Sequence, residues 1–262
     1  MSDSVLLSRT GAALHITLNR PEVFNVFDDD MGRRFLEGLT EAADPSVRAV
    51  LITGAGKAFC GGEDLKALSS HYEAGEAPDL GEILLRRYNP AIEAIISLEK
   101  PVIAAVNGVA AGAGFSLALA CDLRVMAENS SFVLAFPKVG LVPDSGGTWL
   151  LPRYLGPGRA LEVALLADPI KAARALELGL VNSVVPADEL ATAAADLVRR
   201  LAEGPTIAFG LSKRLIWESS QSSLVEHLTR EADAQRRAGL SGDHLEGVKA
   251  FGEKRSPRFT GA

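Results

Sequence analysis

Pro101-Val102-Ile103-Ala104-Ala105-Val106-Asn107-Gly108-Val109-Ala110-Ala111-Gly112-Ala113-Gly114-Phe115-Ser116-Leu117-Ala118-Leu119-Ala120 runs for twenty residues without a charged side chain. Pro101 to Val106 is a short apolar run of the kind that makes a buried strand, and Asn107-Gly108 ends it in a turn. Gly112 to Ala120 then has small and apolar residues on every face, the mark of a helix enclosed on all sides. A buried strand feeding a buried helix through a tight turn is α/β architecture.

The pattern repeats outward from there. Val47 to Thr53 is another apolar strand, closed by Gly54-Ala55-Gly56, and Leu6 to Leu18 alternates as strands do. Between them, Met31, Phe35 and Leu39 lie at helical spacing over Asp28 to Ala43, with Asp28 as the expected N-cap. Downstream of the central stretch, Asp122 to Ala127 and Ser131 to Ala135 read as further strands. Ser69 to Asp79 is polar, contains Gly75 and Pro78, and reads as a mobile loop. Leu80 to Leu98 resumes a helix, which Pro90 should break or kink. From Pro152 the chain reads as helical: Gly158–Leu166, Lys171–Leu178, Ala187–Glu203, Ser212–Ala238 and His244–Glu253. The last of these helices are amphipathic and fit packing against a second body or subunit.

Composition narrows the function classes. The chain has 262 residues, a formal net charge of -6, 47% hydrophobic and 23% charged residues. Such a length buries roughly three quarters of its unfolded surface without a disulfide or metal staple. Only two cysteines occur, Cys60 and Cys121, each in an apolar segment, which fits a reducing, cytoplasmic setting. No leader is expected from Met1-Ser2-Asp3-Ser4, and no stretch reaches the roughly 20 uninterrupted apolar residues of a membrane span. An acidic chain without a basic run is a poor nucleic-acid binder.

Several short motifs fail on inspection. Gly54-Ala55-Gly56-Lys57 lacks the first glycine and the Ser/Thr of a phosphate-binding loop. Gly112-Ala113-Gly114 lacks the third glycine of a dinucleotide fingerprint, because Leu117 stands there. Gly114-Phe115-Ser116-Leu117-Ala118 has Ala118 in place of the second glycine of a nucleophile elbow, and no histidine accompanies it in a motif. No group of His, Cys, Asp or Glu has metal-ligand spacing, so no metal is expected.

Three segments remain. In Gly56-Lys57-Ala58-Phe59-Cys60-Gly61-Gly62-Glu63-Asp64-Leu65-Lys66, a glycine pair after a strand allows a ligand to approach the backbone. In Asn107 to Gly114, N–H groups at a helix start are donors aimed at an anion. Two such donors from separate loops make an oxyanion hole for a carbonyl that becomes an enolate, where one donor is worth about 2.7–4 kcal/mol of transition-state stabilisation. In Phe136 to Thr148, Asp144 follows Pro143 in an apolar stretch, where desolvation raises a carboxyl toward working pH. Taken singly, each is more often a plain turn or close packing.

Taken together, Ala-Phe-x-x-Gly-x-Asp-Leu, Asn-Gly-x-Ala-x-Gly-x-Gly and Gly-Leu-x-Pro-x-x-Gly-Gly-Thr resemble the crotonase (enoyl-CoA hydratase/isomerase) superfamily. Asn19-Arg20-Pro21-Glu22, Ala172 to Val185 and Ala250 to Arg255 extend the resemblance over nearly the whole chain. It implies a right-handed spiral of strand-strand-helix repeats over residues 1–195 and a helical oligomerisation region over 196–262, building trimers or hexamers. It also implies a coenzyme A thioester as substrate and no separate cofactor. Carried over by motif, the oxyanion donors are the N–H groups of Glu63 and Ala113. Glu63, Asp64, Leu65 and Lys66 line the thioester and CoA, and Phe251 and Lys254 reach CoA from a neighbouring subunit.

The two carboxylates that hydratases of this family use fall here on Ser116 and Phe136, neither of which is a base. Asp144 stands where many hydratases have glycine. The stretch Leu141 to Arg153 is similar to enoyl-CoA isomerase and epoxyphenylacetyl-CoA isomerase-like members. One carboxylate suffices to move a double bond, so isomerisation with Asp144 as acid and base is the expected activity. The alternatives are a hydratase with water held by Asp144 and Ser116, and a non-catalytic CoA-ester- or RNA-binding member.

Overall fold

The computed structural model describes residues 3–262. Two sheets share the strands so that, after the β1–β2 pair, each successive pair contributes one strand to each. The six-stranded sheet has the order β1 (Val5–Thr10), β2 (Ala13–Leu18), β3 (Ala49–Gly54), β5 (Val102–Val106), β7 (Leu123–Ala127) and β10 (Ser183–Val185). The four-stranded sheet has β4 (Ala58–Cys60), β6 (Val109–Ala111), β8 (Ser131–Val133) and β9 (Ile170–Lys171). Apart from the β1–β2 and β8–β9 pairs, neighbouring strands are parallel. Repeats of strand, strand and helix therefore climb between two sheets, as the resemblance implied.

The repeats are recognisable in the sequence because parallel sheets covered on both faces need continuous apolar strands. Every residue of β5 is buried. So is every residue of α5 (Ala113–Ala120), the uncharged helix of the opening stretch. α1 (Asp29–Ala42) buries Met31, Phe35 and Leu39, and the Asp28 carboxylate accepts from the Met31 N–H at 2.8 Å as its N-cap.

Three expectations are corrected. The segment Ser69 to Asp79 is half helix: α2 (Leu65–Glu73) starts at Asp64, whose carboxylate accepts from the Ala67 N–H, and only the residues after it are irregular. Its sequence hides the helix because Leu68 alone is buried. Leu80 to Leu98 is divided into α3 (Leu80–Ile83), a π-turn at Leu84–Tyr88 and α4 (Asn89–Ser97). Pro90 sits in the first turn of α4, where its missing N–H costs nothing, so the break falls just before it. Ser212 to Ala238 is two helices, α9 (Thr206–Glu218) and α10 (Leu224–Gly239). The capping box of Ser223 and Glu226 starts the second.

Helices α6 (Gly147–Leu166), α7 (Ala172–Glu177), α8 (Leu190–Ala202) and α11 (Gly242–Gly252) complete the chain. The expected boundary after residue 195 falls inside α8. Ala194, Val198 and Ala202 on that helix are buried with Ala49, Leu51, Ile103 and Val125 of the large sheet, so α8 belongs to the core. The helical remainder begins with α9. Among the described residues no helix is long and apolar enough to cross a membrane.

Candidate active site

A cavity of about 370 Å³ opens between the small sheet, α2, α3 and the segment before α6, and Glu63, Ala113, Phe136 and Asp144 all line it. Larger clefts lie between α4, α6 and α9 and beside β7, but they contain none of the four. The smaller, mostly apolar cavity is the one that brings these four residues together.

Its floor is set by close backbone packing. β4 and β6 pair in parallel, with Ala58 beside Val109 and Cys60 beside Ala110. A Cβ on Gly114 would lie 2.3 Å from the Cys60 carbonyl oxygen, so only glycine lets α5 begin this close to β4. Gly62 has φ +93, and a Cβ there would lie 2.9 Å from the Ala111 carbonyl oxygen and 3.5 Å from the Ala113 nitrogen. The Gly62–Glu63 and Gly112–Ala113 segments are thus neighbours. Phe27 bonds on either side of Glu63, its N–H to the Gly62 carbonyl (2.7 Å) and its carbonyl to the Asp64 N–H (3.0 Å). The Glu63 N–H faces away from that bridge, and Ala113 is the first residue of α5. Among the described residues neither amide donates to an acceptor in the chain. Two free donors at one cavity can hold an oxygen that takes on negative charge.

Asp144 lies on the turn entering α6. Burial pushes its carboxyl up to about 6, helped by the Glu63 charge and opposed by the Ser145 hydroxyl, which donates to Oδ1 at 2.7 Å. Ser116 does not line the cavity; it is fully buried behind the loop and donates to the Asp144 carbonyl oxygen at 2.9 Å. It fixes the Asp144 backbone instead of presenting a group to a ligand. Phe136 closes the wall with an apolar ring.

Of the expected stretch Glu63 to Lys66, only Glu63 and Leu65 line the cavity. Asp64 caps α2 and pairs with Arg20 at 3.1 Å, and Lys66 points to solvent on α2. Phe251 and Lys254 lie outside the cavity of this chain at the end of α11, with Phe251 87% exposed. Cys60 is close by, but burial pushes its thiol up to about 12, which makes it a poor nucleophile.

The sequence reading missed Arg87 and Tyr88. Arg87 Nη1 donates to both Glu63 oxygens at 2.7 and 2.6 Å, and the Tyr88 hydroxyl donates to Oε2 at 2.5 Å. Arg87 Nη2 reaches Asp29 Oδ1 at 2.6 Å. Burial and the Glu63 charge hold the Tyr88 phenol well above its ordinary value, so it remains a donor. The only signal was Pro90, which required a helix irregularity close to these residues.

Known proteins resemble this chain over nearly its whole length. The family model described as enoyl-CoA hydratase/isomerase matches residues 8–262. The chain is 46% identical over 262 residues to the 1,2-epoxyphenylacetyl-CoA isomerase of Escherichia coli (strain K12), covering 100% of both chains. It is 39% identical over 274 residues to the carnitinyl-CoA dehydratase of Salmonella typhi, again covering 100% of both. The solved enoyl-CoA hydratase of Bacillus anthracis superposes with a TM-score of 0.92 at 35% identity, covering 99% of this chain and 100% of that one. With its crotonase-like fold, the chain belongs to the enoyl-CoA hydratase/isomerase family of acyl-CoA enzymes.

Proposed function

We propose that the protein is an isomerase of unsaturated acyl-CoA thioesters with Asp144 as its single acid–base group. The observation that carries this is Asp144 itself, a carboxyl on the cavity wall, largely desolvated and, among the described residues, without a cationic partner. Glu63 is the other carboxylate on the wall, but its oxygens already accept from Arg87 and Tyr88. Ser116 and Phe136 stand where the resemblance puts the two carboxylates of a hydratase.

In the reaction, Asp144 removes a proton from the carbon beside the thioester carbonyl of a 3-enoyl-CoA. The electron pair moves into the conjugated system and charges the thioester oxygen, which the Glu63 and Ala113 amides hold. Asp144 then returns the proton to the distal carbon, giving the 2-enoyl-CoA. No atom is added or lost, and no cofactor is consumed. A carboxyl raised to about 6 is well matched to accepting and returning a proton near neutral pH. The 46% identity to an epoxyphenylacetyl-CoA isomerase supports ring-containing thioesters, phenylacetyl-CoA derivatives included, beside linear ones.

Hydration is the second reading, favoured by the dehydratase and hydratase names among the relatives. One preparation assayed for isomerisation of a 3-enoyl-CoA and hydration of crotonyl-CoA separates the two. We expect isomerisation to be the faster by orders of magnitude; the reverse order would overturn the proposal. We further propose a cytoplasmic trimer or dimer of trimers, in which Phe251 and Lys254 contact the CoA of an adjacent subunit.

A further inference from the structure

Several unfavourable features meet at Arg87. It is only 7% exposed, its Nε is buried without an acceptor, and it sits in the π-turn Leu84–Tyr88. It also crosses α1 where a Cβ on Gly32 would come within 2.4 Å of its Cγ. A buried ion pair is weak support for stability, since desolvating both charges offsets their attraction. π-turns are frequent at functional positions. A local cost without a stability return is expected where function demands it.

What the arrangement holds is the Glu63 carboxylate. The Glu63 backbone is fixed on one side by its bridge to Phe27, while its other neighbours are Gly62 at φ +93 and the start of the largely exposed α2. The Gly62–Glu63 peptide, which carries the N–H into the cavity, has its carbonyl held by the Phe27 N–H, and the Glu63 carbonyl accepts from the Leu65 N–H at 2.9 Å. Gly62 adds no side-chain restraint of its own, and the Glu63 side chain is the further anchor. Arg87 grips both its oxygens with one nitrogen, Tyr88 bonds a second time to Oε2, and Asp29 braces the other arm of the guanidinium.

We infer that Arg87 and Tyr88 are positioning residues that clamp the Glu63 side chain and thereby aim the Glu63 N–H at the thioester oxygen. The role rests on the oxyanion-hole reading of the cavity. It assigns a purpose to a glutamate side chain at a position whose backbone alone takes part in the chemistry. The π-turn carries both of the consecutive residues, 87 and 88, that reach this carboxylate.

The test reads carbonyl polarisation directly. Cinnamoyl-CoA is a conjugated thioester whose absorption moves to longer wavelength when donors polarise its carbonyl. Wild type is expected to bind it with a red shift. Arg87→Met should lose most of that shift and lower kcat for isomerisation about 10- to 100-fold, less than the roughly 10²–10³-fold of an oxyanion donor removed outright, with KM changed less than threefold. Tyr88→Phe, which keeps the ring against Phe27, should lose a smaller part of both. Glu63→Gln, which still offers Arg87 an acceptor, should retain more of the shift than Glu63→Leu. Should Arg87→Met fail to fold, Tyr88→Phe and the Glu63 pair carry the test. Full shift and full kcat in folded Arg87→Met or in Tyr88→Phe would overturn the clamp. A wild-type protein that shifts the probe but does not isomerise would refute the proposed reaction and leave the clamp standing. Binding without any shift would remove the oxyanion hole and the clamp with it.

Discussion

Asp144 combines a high proton affinity with a fixed backbone: Ser116 holds its carbonyl and Ser145 one carboxylate oxygen. As the proposed base it must be deprotonated, so kcat/KM should rise about tenfold per pH unit up to a value near 6 and level off above it. Ser145→Ala removes a bond that favours the carboxylate, so the ascending limb should move up by about one pH unit. The same shift has a stability consequence. Folded Asp144 titrates near 6 and unfolded aspartate near 3.8. The native state therefore binds the proton more tightly, and stability falls as pH rises from about 4 to 6, by roughly 3 kcal/mol at most. Asp144→Asn should melt several degrees higher than wild type at pH 8 and equally at pH 4, as differential scanning calorimetry would show; a lower melting point at pH 8 would contradict this. Asp144 was legible in the sequence because Pro143 and the apolar residues around it foretell burial. Ser116, expected in the pocket as a group that could hold water with Asp144, lies behind the loop instead, because spacing from Asn107 finds its register but not the side of the loop that it faces.

At the scale of elements, the strands and α5 were readable because both faces of each are covered, which leaves unbroken apolar runs. α2 was not, because its single buried residue, Leu68, leaves no stripe, and a capping aspartate alone is ambiguous with a turn. The π-turn was unreadable in detail: Pro90 marks a break but not its form, and nothing local shows that Arg87 finds Glu63 twenty-four residues away. Gly32 belongs to the same assembly. On helix propensity Gly32→Ala should gain about 1 kcal/mol, yet its Cβ would meet the Arg87 side chain at 2.4 Å. We expect a net loss of about 1–3 kcal/mol from overpacking, measured by urea unfolding. Gly239→Ala, in open space at the end of α10, should be neutral or stabilising. Equal effects at the two positions would argue against a tightly filled space over α1.

At the scale of the molecule, exposed apolar residues occur in several places, Leu161, Leu165 and Leu166 of α6 among them, and two groups of three stand on the last helices. Leu224, Val225 and Leu228 lie on α10, and Leu245, Val248 and Phe251 lie on α11; all are exposed. Large exposed apolar patches mark interfaces, so light scattering should give three or six times the 27.6 kDa chain mass; a monomer would contradict the proposed assembly. The helical character of this region was legible from its amphipathic spacing, whereas the place of α8 was not, since helical periodicity does not say which body a helix packs on. The spiral itself was legible only when three separately weak glycine motifs were taken in order, because each loop acquires its meaning from contact with the next. The proposed reaction requires one carboxyl beside two backbone donors, and the rate of Asp144→Asn on a 3-enoyl-CoA tests that most directly. The variant is expected to bind cinnamoyl-CoA with the wild-type red shift while losing at least about 10²–10⁴-fold in kcat; turnover at the wild-type rate would contradict it.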